Sequence, residues 1–229
     1  MKNIEFIAFD ADDTLWVNEP YFQETEKKFC ELLGSYLPEN KVSQELFQTE
    51  MQNLSLYGYG VKSFILSMIE TAVRVTDGRA DPAIISEVLE LGKEQLKQPV
   101  ELLTGVEEVL EKLHKKYRLV LATKGDLLDQ ERKLKKSGLE VYFHHIEIMS
   151  DKQVSDYQKL IKHLDCAPEN FLMLGNSLKS DILPVLEIGG SAAYIPYHVT
   201  WNHEKTETVS KDPEYIKLSG IIEILDFLK

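Results

Sequence analysis

Two aspartates separated by a single residue, Asp10 and Asp12, close a short apolar stretch that runs from Ile4 to Phe9. Paired carboxylates repel, and at least one takes a raised pKa unless a divalent cation or proton chemistry makes use of the pair. Magnesium takes oxygen ligands of this kind together with phosphate oxygens. Asp10-Ala11-Asp12-Asp13-Thr14 is therefore either a solvated turn or one part of such a site. Three later groups bear on the choice. Thr123 follows the apolar run Arg118 to Ala122, Lys152 follows Ile148 in Met149-Ser150-Asp151-Lys152, and Asp181 follows a run that ends at Leu174-Gly175.

Those groups can meet only if the elements before them lie side by side. The length and flanks of Ile4 to Phe9 suit a buried strand. From Gly105 onward, helix-period and strand-period segments alternate. Val106–Lys116, Leu127–Ser137, Gln153–Leu164, Leu178–Ile188 and Ile221–Leu228 read as helices, and Arg118–Ala122, His144–Ile148, Asn170–Leu174 and Ser191–Ile195 as strands. Such alternation predicts an α/β, Rossmann-like parallel sheet with helices on both faces. The carboxyl ends of its strands form one rim where ligands bind. Asp10, Asp12, Thr123, Lys152 and Asp181 then converge as a set able to hold Mg²⁺ and a phosphoryl group together. Lys159 and Lys162 are the alternatives to Lys152, and both fall on the surface of a helical segment.

Nearly a hundred residues separate the first strand from Gly105, whereas a parallel crossover needs about a dozen. The excess reads as four amphipathic helices. Phe22, Phe29 and Leu32/Leu33 mark the first, and Leu46, Phe47, Met51 and Leu54 the second. Phe64, Ile65, Met68, Ile69, Ala72 and Val73 form a 3.6-period stripe in the third, and the fourth starts with Asp81 as N-cap and Pro82 at the first helical position. The expected division is an α/β core of residues 1–15 and 99–229 and an α-helical insertion of residues 16–98, with hinges near Asp13–Asn18 and Gln98–Thr104.

The balance of 26 Lys and Arg against 38 Asp and Glu leaves a net charge of −12, which argues against binding a phosphate backbone, so nucleic acid is not an expected partner. Hydrophobic residues at 43% with 28% charged lie near the globular average and away from disordered compositions. Two cysteines, Cys30 and Cys166, have no zinc or redox spacing and fit a reducing compartment. The apolar run near the amino terminus, broken at Glu5, is too short for a signal core or a membrane span. The expectation is a cytoplasmic protein without membrane association.

The ordered residues resemble the haloacid dehalogenase superfamily of phosphohydrolases. Phe6-Ile7-Ala8-Phe9-Asp10-Ala11-Asp12-Asp13-Thr14 matches its first motif, a hydrophobic strand followed by Asp-x-Asp-x-Thr. Leu119-Val120-Leu121-Ala122-Thr123 is similar to the second, Lys152 to the third, and the stretch from Phe171 through Gly175-Asn176-Ser177-Leu178-Lys179-Ser180-Asp181 to the fourth. The resemblance implies that the insertion is a helical cap domain. It also implies that Asp10 attacks phosphorus to form an aspartyl phosphate. Asp12 then serves as acid and base, and Thr123 and Lys152 contact the phosphoryl group. By the same resemblance Asp10, Asp12 and Asp181 hold Mg²⁺. Asn176 stands where the family has an acid, so it or Ser177 helps as a neutral oxygen ligand or through water. Asp13 stands where glycine is frequent. Dehalogenases of the superfamily lack an aspartate at the position of Asp12, because halide leaves without a proton, so Asp12 favours phosphate ester hydrolysis, and a cap over the site suits a small phosphorylated metabolite that can be enclosed away from solvent.

Other readings use the same residues. A phosphotransferase or mutase shares the aspartyl phosphate, and a catalytically silent binding protein with this fold would account for Asn176. A receiver-type signalling module also gathers acids, Thr and Lys, but it carries its acceptor on a middle strand and has no such insertion. Lys124, next to Thr123, is either a substrate contact or a surface lysine. Leu56-Tyr57-Gly58-Tyr59-Gly60-Val61-Lys62 is either a mobile substrate-selecting loop or a packed helix–helix turn. His144 and His145 are adjacent on a strand, so they face opposite sides and cannot chelate one ion. The segment Pro196 to Lys217, with Trp201-Asn202-His203, starts on the active rim and is either functional or an edge covering.

Overall fold

The computed structural model describes residues 3–205 and 214–228. Among the described residues six strands form one sheet: β1 (Phe6–Phe9), β2 (Arg118–Lys124), β3 (His145–Met149), β4 (Phe171–Gly175), β5 (Ser191–Tyr194) and β6 (Ile216–Lys217), in the spatial order β3-β2-β1-β4-β5-β6. Every pairing is parallel. The order reverses at β1, which has β2 on one side and β4 on the other, with Phe9 in register with both Leu121 and Leu174. A reversal of this kind opens a crevice beyond the carboxyl ends of the strands, and Asp10 is the first residue past β1.

The chain divides into two compact units. The first comprises the residues through Glu19, Val100–Lys124, and those from Gln130 on. The second comprises Pro20–Pro99 and Gly125–Asp129. The second is built on α1 (Glu19–Leu32), α2 (Glu39–Tyr57), α3 (Val61–Val75) and α4 (Pro82–Lys97). Phe29, Leu33, Val42, Leu46, Phe64, Met68, Ala72 and Val88 form its shared core. Asp81 caps α4, its carboxylate accepting the N–H of Ala83 at 2.8 Å, with Pro82 in the first turn.

The expected loop from Leu56 to Lys62 is shorter than its composition suggested. α2 runs through Tyr57 and α3 starts at Val61. Only Gly58-Tyr59-Gly60 connects them, in a tight reversal that needs positive φ at both glycines, 69° and 106°. Lys62 lies in α3 and pairs with Asp126 at 2.9 Å.

In the first unit, side chains alternate along the central strands β1, β2 and β4, and both of their faces are buried, as a parallel sheet requires. Ile7, Phe9, Leu119, Leu121, Leu172 and Leu174 pack with α5 (Val106–Leu113) and with Leu134 of α6 (Leu127–Ser137). The same cluster takes in Ile221 and, from α9 (Ile224–Phe227), Ile224. Phe6, Ala8, Val120, Ala122, Phe171 and Met173 point the other way, against Tyr157, Leu160 and Ile161 of α7 (Val154–His163) and Val185 of α8 (Leu183–Glu187). Val106, Val109, Leu110 and Leu113 put every apolar residue of α5 on one stripe, each burial stabilising by roughly 1.5–3 kcal/mol.

Two expectations are refined, and one strand was not foreseen. The helix expected over Leu178–Ile188 opens as a π-helical turn, Leu178–Ile182, before α8. The helix expected over Ile221–Leu228 is a 3-10 turn, Ile221–Glu223, followed by the short α9. β6, at two residues, is too short to leave a periodic signal. Of the segment Pro196–Lys217, residues 206–213 lie outside the described residues. No helix among the described residues is long and apolar enough to cross a membrane.

Candidate active site

The loop after β1 is wound tightly. The carbonyl of Ala11 accepts the N–H groups of Thr14, Leu15 and Trp16, and Asp13 N–H donates to the Trp16 carbonyl at 2.7 Å. Asp13 takes φ of 62°, a left-handed conformation that aspartate tolerates better than most residues and glycine best. This accounts for an aspartate at a position open to glycine. Its buried carboxylate accepts the N–H of Asn18 at 2.9 Å and of Glu19 at 3.0 Å, fixing the chain's departure from the core. The outgoing and returning segments are themselves paired, Val17 N–H to the Glu101 carbonyl and Leu103 N–H to the Leu15 carbonyl, both 2.9 Å. The two expected hinges are thus hydrogen bonded to each other.

Asp10 N–H donates to the Leu174 carbonyl at 2.9 Å, tying the loop to β4. Its carboxylate accepts the Thr14 hydroxyl at 3.0 Å and, on the other oxygen, the Lys152 ammonium. Lys152 also donates to Asp181 at 2.7 Å, and all three side chains are buried. Of the sequence-predicted set, Asp10, Lys152 and Asp181 are therefore joined by direct bonds. Burial is the largest influence on Asp10 and pushes its carboxyl up to about 7, with the Lys152 charge opposing and the Asp181 charge adding to the rise. Burial alone pulls the Lys152 ammonium down, but the Asp10 and Asp181 carboxylates hold it well above its ordinary value. Asp13 is likewise pushed up to about 7 by burial, against the N–H donors of Asn18 and Glu19.

Asp181 is placed by the loop after β4. Its second oxygen accepts the Ser177 N–H at 2.9 Å. A Cβ on Gly175 would lie 2.2 Å from that oxygen, so only glycine fits beneath it. The Asn176 amide oxygen accepts the Thr14 hydroxyl at 3.3 Å, which brings Asn176 to the Asp10 loop. Thr123 is buried near the end of β2, two residues past Leu121, the register partner of Phe9. Lys124 turns its ammonium to Glu204 at 2.5 Å and to the Ser180 hydroxyl at 2.9 Å.

Asp12 has three donors of its own: the Trp16 indole N–H at 2.7 Å, the Gln130 amide at 2.8 Å and the Lys133 ammonium at 2.6 Å. Sequence reasoning missed Gln130, Lys133 and Glu204. The spacing of Gln130 and Lys133 on one face of α6 was the available signal for the first two. Glu204 follows Trp201-Asn202-His203 directly and comes from a segment without periodicity.

Among the described residues, no group of three or more His, Cys, Asp and Glu side chains is disposed to hold a metal ion unaided. The oxygen donors gathered here that could hold a cation are the carboxylates of Asp10 and Asp181 and the Asn176 amide oxygen. The buried set places two carboxylates against the single ammonium of Lys152. A hard divalent cation fits both the oxygen donors and the charge imbalance.

The family model for haloacid dehalogenase-like hydrolases matches residues 4–189. Among solved structures, a haloacid dehalogenase-like family hydrolase from Xanthomonas campestris is 42% identical, with a TM-score of 0.81, over 85% of this chain and 82% of that one. The HAD-hydrolase YfnB from Bacillus subtilis, bound to magnesium, is 17% identical with a TM-score of 0.67, covering 99% of each chain. A HAD phosphatase from Thermococcus onnurineus is 18% identical with the same TM-score of 0.67, covering 98% of each. Dehalogenases share the fold as well. No curated protein matches the chain.

Proposed function

The chain belongs to the haloacid dehalogenase-like hydrolases, and on that premise we propose that it is a magnesium-dependent phosphatase of a small phosphorylated metabolite. The observation that carries the reading is Asp10, buried and held by Lys152 and Thr14, with a second carboxylate, Asp12, two residues away under separate control. An Asp10 oxygen attacks phosphorus while the bond from phosphorus to the ester oxygen breaks, and Asp12 gives that oxygen a proton. Water then attacks the aspartyl phosphate and passes a proton to Asp12. The bond from Asp10 to phosphorus breaks, releasing inorganic phosphate and restoring Asp10. Thr123 and Lys152 are assigned to the phosphoryl oxygens, and Lys124 to the rim of the substrate site.

Asp10, Asp12 through its carbonyl, Asp181 and Asn176 would hold Mg²⁺, which when bound neutralises charge on the transferring group. The magnesium of a relative with the same fold supports this choice of ion. Residues 16–98 take the role of cap domain, with the α/β core at 1–15 and 99–229. A reducing cytoplasm suits the two free cysteines, Cys30 and Cys166. Asp12 favours phosphate esters over haloacids, since a departing halide needs no proton.

The test is release of phosphate from a panel of phosphorylated metabolites, run beside release of halide from 2-haloacids. Phosphate release that needs Mg²⁺ and falls by roughly 10³ or more in Asp10→Asn is the expected result. Halide release without phosphate release, or undiminished turnover in Asp10→Asn, would overturn the reading.

A further inference from the structure

Glu204 is a largely buried acid with no part in the chemistry proposed for Asp10 and Asp12. It closes a 3-10 turn, Asn202–Glu204, and its side chain is only 12% exposed. One oxygen accepts Ser177 Oγ at 2.5 Å and Ser180 Oγ at 2.7 Å, both from the loop after β4. The other accepts Lys124 Nζ from the end of β2 at 2.5 Å. Lys124 also donates to Ser180 Oγ at 2.9 Å. The preceding residue adds a further tie, Lys179 Nζ lying 3.0 Å from both the ring Nε2 and the carbonyl oxygen of His203.

The loop fastened in this way is the one that places Asp181. Ser177 Oγ, while donating to Glu204, accepts the Ser180 N–H at 3.0 Å. Ser177 N–H donates to the Asp181 carboxylate, and the Ser177 carbonyl accepts the Asp181 N–H, both at 2.9 Å. Ser177 immediately precedes the π-helical turn Leu178–Ile182 and Asp181 lies within it, a geometry that is rare. Hydroxyls rotate freely unless both their donor and acceptor directions are used, and Glu204 uses the donor direction of both serines.

We propose that Glu204 is a positioning residue: from the turn Asn202–Glu204 it locks the Ser177 and Ser180 hydroxyls and so holds the Asp181 carboxylate in place for the site. The consequence for catalysis rests on the phosphatase reading, whereas the brace itself does not.

The experiment compares Glu204→Gln with the unaltered protein by hydrogen–deuterium exchange, without metal. The substituted amide is neutral and cannot hold the Lys124 ammonium as an ion pair, so the amides of residues 177–182 should exchange roughly tenfold faster or more, as expected for loss of a charged hydrogen bond. Exchange in β1 and in the helices α1 to α4 should stay unchanged. Ser180→Ala, which removes one hydroxyl and leaves Glu204, should give the same localised effect and serves if Glu204→Gln does not fold. Unchanged exchange over 177–182, or acceleration spread evenly through the protein, overturns the proposal. In turnover, Glu204→Gln should raise the Mg²⁺ requirement by roughly the same tenfold while the rate at saturating Mg²⁺ stays of the same order. A fall in that rate with an unchanged Mg²⁺ requirement also overturns it. An unaltered protein that releases no phosphate from any ester defeats the phosphatase reading instead, and the exchange result then judges the brace alone.

Discussion

Asp10 and Asp12 have the same side chain and stand two residues apart, yet their surroundings divide them. Asp10 is buried against one ammonium that it shares with Asp181, whereas Asp12 receives an indole, an amide and the ammonium of Lys133. The division suits separate duties, attack for one and proton transfer for the other. Asp12→Ala should therefore slow the first displacement on an ester with a basic alkoxide leaving group by roughly 10²–10⁴, and slow it much less on p-nitrophenyl phosphate, whose leaving group needs little protonation. Pre-steady-state release of alcohol or nitrophenol measures this step apart from the second one. Equal slowing for both leaving groups would contradict acid catalysis. At this scale the meeting of Asp10, Lys152 and Asp181 was legible, because each comes shortly after an apolar run that forms a strand. The sequence was silent on Glu204, whose segment has no periodicity, and the i,i+3 spacing of Gln130 and Lys133 on α6 does not by itself show that both side chains reach Asp12 across the fold.

The turn after β4 shows how an element can be specified by what it must accommodate. Asp181 folds back over Gly175, and any Cβ there meets the carboxylate. Gly175→Ala must push either the strand end or Asp181 aside. The expected cost is about 1–3 kcal/mol of stability, seen as a lowered melting temperature, together with a weakened Lys152–Asp181 pair and a loss of turnover. Full activity with an unchanged melting temperature would contradict the close approach. Periodicity foresaw a helix here and could not foresee its first turn, because an apolar pattern does not distinguish α from π winding over so short a stretch. The brevity of the Gly58–Gly60 connection escaped for a related reason. Tyr57 and Lys62 belong to helices by hydrogen bonding, and composition alone assigned them to the loop between. The helical insertion itself was legible, since each of its four helices carries a stripe long enough to count and the fourth carries its cap.

For the whole molecule, the buried acids oppose one another as pH changes. Glu204 is pushed up by burial, but the Lys124 charge and the donors Lys124, Ser177 and Ser180 outweigh this and hold it at about 2. Its stabilisation, up to about 3 kcal/mol, is present above its ordinary value of 4.5 and is lost as pH falls from there toward 2. Asp10 and Asp13 act in the reverse sense. With folded values near 7 against an ordinary 3.8, the folded chain holds more protons than the unfolded one between those limits, so stability falls as pH rises through the interval. On these three groups the metal-free protein should therefore melt highest between about 3.8 and 4.5, where Glu204 is ionised and Asp10 and Asp13 still hold their protons, and progressively lower as pH rises toward 7. Added Mg²⁺ should raise the melting temperature most at the upper end, where Asp10 is ionised. Melting curves across pH with EDTA or Mg²⁺ check both statements, and a metal-free optimum above pH 7 would contradict the first.

The position of β1 has one more consequence, which concerns order in time. It is the innermost pairing strand of its neighbourhood, yet its partners begin only at Arg118 and Phe171. A ribosome that has just completed Tyr117 has already made all of α1 to α4, and among the described residues their shared apolar core draws on none beyond Leu96. At that moment the central strand of the sheet still has no neighbour to pair with.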